Sequence, residues 1–270
     1  MGMDVGTLLV VGGSLIGGGI VAGLIAGLLG VGGGIVIVPV LYWLSPVLHV
    51  APEVALHCAV ATSLAVIIPT SISSMRAHHR RGSVDMSLVR VWAPGVAVGA
   101  ATGGVIAGFL DASALAGVFG VVALVVAINM ALPKTIVVAE SLPASRPANY
   151  AMAGTIGFIS SLMGIGGGTM SVPTLSLFGT PIHRAVGTAA VFGLVIAAPG
   201  VIGYLWNGQG VEGRPPFSFG YVSLPAAAVL GVATVIFAPM GAHLAHTLNR
   251  TWLKRCFAVF LAITAYRMLT

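Results

Sequence analysis

Residues 27–39 read GLLGVGGGIVIVP, and residues 161–173 read SLMGIGGGTMSVP. In each, four glycines fall within five positions: Gly30, Gly32, Gly33 and Gly34, then Gly164, Gly166, Gly167 and Gly168. A glycine inside a helix costs about 1 kcal/mol relative to alanine, so each cluster breaks the helix that its apolar flanks would otherwise form. A helix restarting after such a break, at Gly34–Ile35 or at Gly168–Thr169, presents unpaired N–H groups and the positive end of its dipole. That combination binds anions. The other explanation for the glycines is close helix packing. A packing face, however, needs helix-spaced glycines, and these are consecutive.

A second set of candidates follows each cluster. HCAVATS (57–63) carries Thr62 and Ser63, and HRAVGTA (183–189) carries Arg184 and Thr188. Hydroxyls bind an anion without adding charge; they also back-bond within helices. Arg184 either pairs with an anion or marks a cytoplasmic helix end. His57 and His183 read as polar helix starts. The candidate substrate-binding set is therefore Gly32, Gly33, Gly34, Thr62, Ser63, Gly166, Gly167, Gly168, Thr169, Arg184 and Thr188.

Other chemistries lack their residues. No GK[ST] follows either cluster, and no strand–helix alternation surrounds it, which argues against P-loop and dinucleotide sites. His243 and His246 have the i,i+3 spacing of metal ligands but no acidic or cysteine partner, so neither a metal site nor a cofactor is expected. No nucleophile–base pair or carboxylate pair is spaced for catalysis, so no enzymatic activity is expected. Ser71, Ser73, Ser74, Ser160 and Ser161 either line a polar path or bond between helices. His78 and His79, in RAHHRR, read as solvated loop.

The elements that must hold these residues are membrane helices. Of 270 residues, 57% are apolar and 7% charged, against about 25% charged in a soluble domain. The apolar runs exceed the roughly 18 residues of a spanning helix. The flank Met1-Gly2-Met3-Asp4 has no basic region, so the first run reads as mature structure rather than a signal peptide. The net charge of +6 sits in short loops without interleaved aromatics, which indicates membrane orientation and argues against nucleic acid. Cys58 and Cys256 form no disulfide framework.

The chain is one unit written twice. Gly30 aligns with Gly164, Pro39 with Pro173, Thr62 with Thr188, and residues 110–130 with 248–268. The expected division is a first repeat at 1–132, a cytoplasmic linker at 133–147 and a second repeat at 148–270. Each repeat has five apolar pieces: roughly 7–29, 34–48, 54–75, 86–109 and 112–132, then 149–163, 168–179, 184–206, 218–246 and 251–269. The basic loop follows piece three in copy one (Arg76, Arg80, Arg81) but piece four in copy two (Arg250, Lys254, Arg255). The basic side has switched, so the copies should be inverted in the membrane. With the linker inside, only Arg214 and Arg267 of the 12 basic residues lie outside. The fold class expected is an all-α polytopic membrane protein of two inverted repeats, with glycine-rich breaks meeting near the midplane.

The two glycine motifs, with HCAVATS and HRAVGTA, resemble the TauE/SafE family of sulfite and sulfonate exporters over nearly the whole chain. Ala189 stands where a serine matching Ser63 is typical. The resemblance implies a multi-pass plasma-membrane permease for small sulfur-containing anions. The function expected is secondary transport, in the export direction, by alternating access. The alternative is an anion channel, or a permease for a non-sulfur anion. The expected partners are a small anionic substrate and the lipid bilayer, with a homodimer left open.

Overall fold

Backbone N–H and C=O groups cannot stay bare in hydrocarbon, so a chain this apolar must satisfy them within helices. The computed structural model describes residues 4–131, 138–244 and 250–269, the last with side chains from Ala258 onward. The first half holds α1 (Val5–Leu29), α2 (Gly34–Leu44), α3 (Pro52–His79), α4 (Met86–Ile106) with a short 3-10 turn (Ala107–Phe109), and α5 (Ala112–Ala131). The second holds α6 (Arg146–Leu162), α7 (Gly168–Leu177), α8 (Ile182–Asn207), a hairpin of β1 (Ser218–Phe219) and β2 (Val222–Ser223), α9 (Leu224–Leu244) and α10 (Arg250–Leu269). Six of these, α1, α3, α4, α5, α8 and α9, are long and apolar enough to cross a membrane.

Local sequence explains the starts. Asp4 accepts from Thr7 N at 2.7 Å and caps α1. Pro52 opens α3 where its missing N–H is harmless. Asp85 accepts from Ser87 N and Leu88 N, both at 3.1 Å, and caps α4. One expected element is corrected. Residues 218–246 do not form a single helical piece. Pro215 and Pro216 remove two helix donors, Phe217 and Gly220 take positive φ of 58° and 55°, and the chain turns as a hairpin before α9 begins at Leu224.

α3 and α8 form the centre. Of their most apolar eighteen residues, 78% and 72% are buried, against 28–39% in the other four long helices. They run antiparallel, with Gly193 beside Ser71 and Gly200 beside Leu64. Around them the helices pair through glycine. Gly19, Gly23 and Gly27 of α1 meet Leu230, Thr234 and Ala238 of α9, so these two run parallel. Gly95, Gly99 and Gly103 of α4 meet Tyr150, Gly154 and Phe158 of α6, again parallel. Small residues let these backbones approach closely, which supplies the packing that hydrocarbon cannot drive.

Loop contacts define the two ends of the bundle. At the hairpin end, Ala51 N donates to Gly213 O at 2.9 Å, and His57 Nε2 lies 3.2 and 3.1 Å from the carbonyls of Ala107 and Leu110. At the linker end, Val138 N donates to Leu177 O at 2.8 Å and Arg81 donates to Ala242 O. His78 is a second correction. It is buried at the end of α3, with Nε2 3.1 Å from Gly27 O, rather than solvated. The open last turn of α1 offers that carbonyl, and the stripe spacing Ser71–Ser74–His78 points the ring inward.

Candidate functional site

The glycine breaks sit between α3 and α8 and lie against each other. Gly30 caps α1 in the left-handed conformation, φ 67°, and Gly32 and Gly33 stay at positive φ of 73° and 80° before α2 starts. Side chains rarely tolerate that conformation. In copy two Gly164 alone is left-handed, φ 64°. The rest of that break needs glycine for space. A Cβ on Gly168 would collide with Gly30 O and lie 2.7 Å from Val31 Cα. Reciprocally, a Cβ on Gly34 would collide with Gly164 O and lie 2.9 Å from Ser63 Oγ. Gly32 and Gly166 meet almost backbone to backbone, a Cβ on the first lying 3.2 Å from Cα of the second. Ser63 Oγ donates to Gly164 O at 2.7 Å and ties the α3 wall to the opposite break.

Each break starts a short helix, and each start leaves donors open. The first amides of α2 to find partners are Val36 N and Ile37 N, both onto Gly33 O. In α7, Ser171 N donates to Gly167 O at 2.9 Å. The amides of Gly34, Ile35, Gly168 and Thr169 have no acceptor among the described residues. Two positive helix ends are therefore buried in one place.

Side-chain hydroxyls deepen this polarity on one side only. Ser71, Ser74, Ser160, Thr169, Ser171 and Ser176 all carry a buried oxygen with no partner among the described residues. Ser71 is 1% exposed and Thr169 4%. Ser71 stands at the mouth of α7. A Cβ on Gly193 would strike Ser71 Oγ and lie 3.8 Å from the Gly167 nitrogen. On α3 the positions Ser63, Ile67, Ser71, Ser74 and His78 recur at helical spacing and form one stripe. The aligned positions of the other copy are apolar: Ala189, Ala197 and Gly200 on α8, Ile35 and Ile37 on α2. Ser171 and Ser176 escaped the sequence reading. Aligning α7 with α2 position by position would have exposed them, since Thr169, Ser171, Thr174 and Ser176 replace Ile35, Ile37, Val40 and Tyr42. Of the other serines, Ser73 bonds between helices, to Val235 O at 3.0 Å, and Ser161 back-bonds to Phe158 O at 2.9 Å.

The structure thus brings Gly32, Gly33, Gly34, Ser63, Gly166, Gly167, Gly168 and Thr169 together. The side chains of Thr62, Thr188 and Arg184 turn to other partners. Thr62 Oγ1 accepts from Ser223 N at 3.0 Å, and Thr188 Oγ1 accepts from Asp85 N at 3.0 Å. Each threonine holds the loop that precedes a helix of the opposite half. Arg184 is exposed at the linker end, where its charge helps hold the Asp85 carboxyl below its ordinary value, after the larger effect of the hydrogen bond from Ser87. His57 packs against Tyr221 at a tilt, ring centroids 5.1 Å apart, and plays a structural part at the hairpin end. Among the described residues no group of three His, Cys, Asp or Glu side chains could hold a metal; His246 and Cys256 lie outside the described side chains. An open groove of about 800 Å³ between α4 and α6, lined by Val98, Thr102, Tyr150 and Phe158, is apolar and includes none of the break glycines.

Comparison with known proteins agrees with this architecture. The family model for the sulfite exporter TauE/SafE matches residues 15–268. A probable membrane transporter protein of Haemophilus influenzae is 36% identical over 255 residues, covering 93% of this chain and 95% of that protein. The probable membrane transporter protein YunE of Bacillus subtilis is 30% identical over 210 residues, covering 71% and 77%. A third, from Methanocaldococcus jannaschii, is 26% identical over 261 residues, covering 93% and 92%. No solved structure matches. With six apolar helices of spanning length and a match over nearly all of its sequence, the chain belongs to the sulfite exporter TauE/SafE family and is a multi-pass membrane transporter of the plasma membrane.

Proposed function

We propose that the protein is a secondary transporter that exports small sulfur-containing anions, such as sulfite or sulfonates, by alternating access. The carrying observation is the meeting of the two glycine breaks, with four open amides and the buried hydroxyls of Ser71 and Thr169 beside them. Open N–H donors and neutral hydroxyls suit an oxyanion, and a desolvated site strengthens each such bond. In this reading residues 1–132 and 148–270 are inverted repeats and the linker end is cytoplasmic. Support comes from helix direction. α1 runs from the hairpin end toward the linker end, while its counterpart α6 runs the other way beside α4. Arg76, Arg80, Arg81, Arg90, Arg146 and Arg184 sit on helix ends or loops at the linker end, as the positive-inside rule asks of a cytoplasmic face.

A carrier fits better than an open channel, because the two breaks interlock almost backbone to backbone. Substrate passage then requires the halves to move, as in other repeat transporters. The test is flux in proteoliposomes. Gly33→Leu and Gly167→Leu should abolish sulfite or sulfonate flux while the protein still inserts. A Cβ at these positions already lies 2.8 Å from Ala22 O and 2.6 Å from Phe192 Cβ, respectively. Wild-type flux in both variants would defeat the proposal, and flux that neither saturates nor shows counterflow would return the channel reading.

A further inference from the structure

At the hairpin end one cation differs from the rest of the surface. Arg214, in the loop between α8 and β1, is half-buried, while Arg267 at the same end is exposed. Its Nε donates to Val211 O at 2.5 Å and its Nη1 to Gly220 O at 2.9 Å. Both acceptors are neutral. No carboxylate pairs with it among the described residues. Glu53, Asp111 and Glu212 at that end are all exposed. Arginine stays charged under all ordinary conditions, and a half-exposed guanidinium without a carboxylate beside it is open to an anionic partner. The guanidinium has five N–H donors in one plane. Two are used, which leaves three held in a fixed direction by the two carbonyls.

The surroundings lead inward from this group. Gly213 O accepts from Ala51 N at 2.9 Å, so the Arg214 loop rests on the first turn of α3. Arg214 bonds Gly220 O, next to Tyr221, whose ring packs against His57 on α3. From there α3 continues through Thr62 to Ser63, which bonds the glycine break at Gly164. At the helical rise, Pro52 and Ser63 are only about 17 Å apart along the axis. We propose that Arg214 is a binding point for a small free oxyanion at the hairpin end, placed where it hands the anion along α3 to the glycine breaks. The site is additional to the breaks, and its place in transport rests on the function proposed above.

The experiment uses the full-length protein in phosphatidylcholine vesicles, with sulfite and methanesulfonate as probes in both flux and thermal-shift binding. Arg214→Gln should raise KM and the apparent Kd at least about fivefold, the worth of one close charge pair in water, with kcat nearly unchanged. Arg214→Lys should recover part of that loss. Glu212→Gln leaves both hydrogen bonds of Arg214 in place and should tighten binding roughly twofold, as for one repelling charge about 10 Å away in water. Added inert salt should weaken wild-type affinity and leave Arg214→Gln almost unmoved. A loss of kcat alone, or equal salt slopes in both proteins, would reduce Arg214 to a loop brace and overturn the proposal. So would an effect seen only when anionic lipid is added, which would make the ligand a headgroup. Unchanged affinity in Arg214→Gln with active wild-type flux would sink this site and leave the transport function standing. Binding that depends on Arg214, without any flux, would support the site and sink the transport function.

Discussion

The contact between the two breaks can be tested by adding one carbon to each side. Gly34 and Gly168 both have helical backbone, so alanine meets no torsional penalty there, and an isolated exchange would gain about 1 kcal/mol in helix propensity. The structure reverses that sign. The new methyl at 34 has Ile67 Cδ1 and Ser63 Oγ at 2.9 Å besides the Gly164 carbonyl. The methyl at 168 meets the Gly30 carbonyl and Val31 Cα at 2.7 Å. These are mostly backbone atoms, which cannot rotate away. Overpacking of this kind costs about 1–3 kcal/mol per site. Each alanine should therefore destabilise the protein in detergent, and Gly17→Ala, with open space around its Cβ, should not. The two exchanges also act on one interface. Once either methyl has pushed the breaks apart, the second meets less resistance, so the double variant should lose about 0.5–3 kcal/mol less than the sum. Thermal denaturation of the four proteins of the cycle, with Gly17→Ala beside them, decides the matter. Strict additivity, or alanine variants as stable as the parent, would refute the interlocked geometry and with it the placement of the site.

Two further outcomes follow from the loops. Thr62→Val leaves the buried Ser223 amide without its acceptor and should cost about 1–3 kcal/mol, while Thr188→Val should cost less because the Asp85 amide is only partly buried. Thr→Ser at either site should be near neutral, and a reversed order in thermal unfolding would show that the threonines serve something other than these loops. Asp85 has a carboxyl held below its ordinary value, by the Ser87 hydrogen bond first and then by the Leu88 amide. A depressed folded value means the contribution is complete above the unfolded pKa and fades as pH falls through the folded one. The stability gap between wild type and Asp85→Ala, about 1 kcal/mol for a helix cap, should therefore hold at neutral pH, begin to shrink below about pH 4 and go on shrinking as pH falls through the lower folded value. A gap that does not shrink at all under acid would contradict the charged cap.

Much of the fold was legible because its causes are local. Apolar run length gives the spanning helices, and four glycines in five residues must break one. The repeated motifs were visible too, since Gly30 and Thr62 are followed in the same order by Gly164 and Thr188, the second interval being eight residues shorter. What misled was chemistry that depends on distant partners. The run from Phe217 to Val222 is apolar and reads as the start of α9, yet two prolines before it and Gly220 within it turn it into a hairpin. His78 lies among arginines and reads as wet, but the last turn of α1 offers it a carbonyl. The hydroxyls of Thr62 and Thr188 looked like anion ligands because their intrahelical position was known and their partners were not. Those partners, Ser223 and Asp85, are over 100 residues away in sequence.

The same comparison bears on the proposed duplication. Both copies keep the glycines, and both breaks are needed because each fills the space left by the other's missing side chains. Only one side kept hydroxyls. α3 supplies Ser63 and Ser71 and α7 supplies Thr169 and Ser171, while α8 and α2 offer Ala189, Ala197, Ile35 and Ile37. A buried hydroxyl without a partner costs free energy in the resting protein, so the six on α3, α6 and α7 that have none among the described residues are hard to explain by packing. Alanine or valine would pack as well and without that cost. Such groups persist at sites where something else completes their hydrogen bonds. A site with one hydrogen-bonding wall and one apolar wall favours a ligand with the same division. Backbone amides from both halves can then hold the charge, while the unequal side chains choose which anion fits.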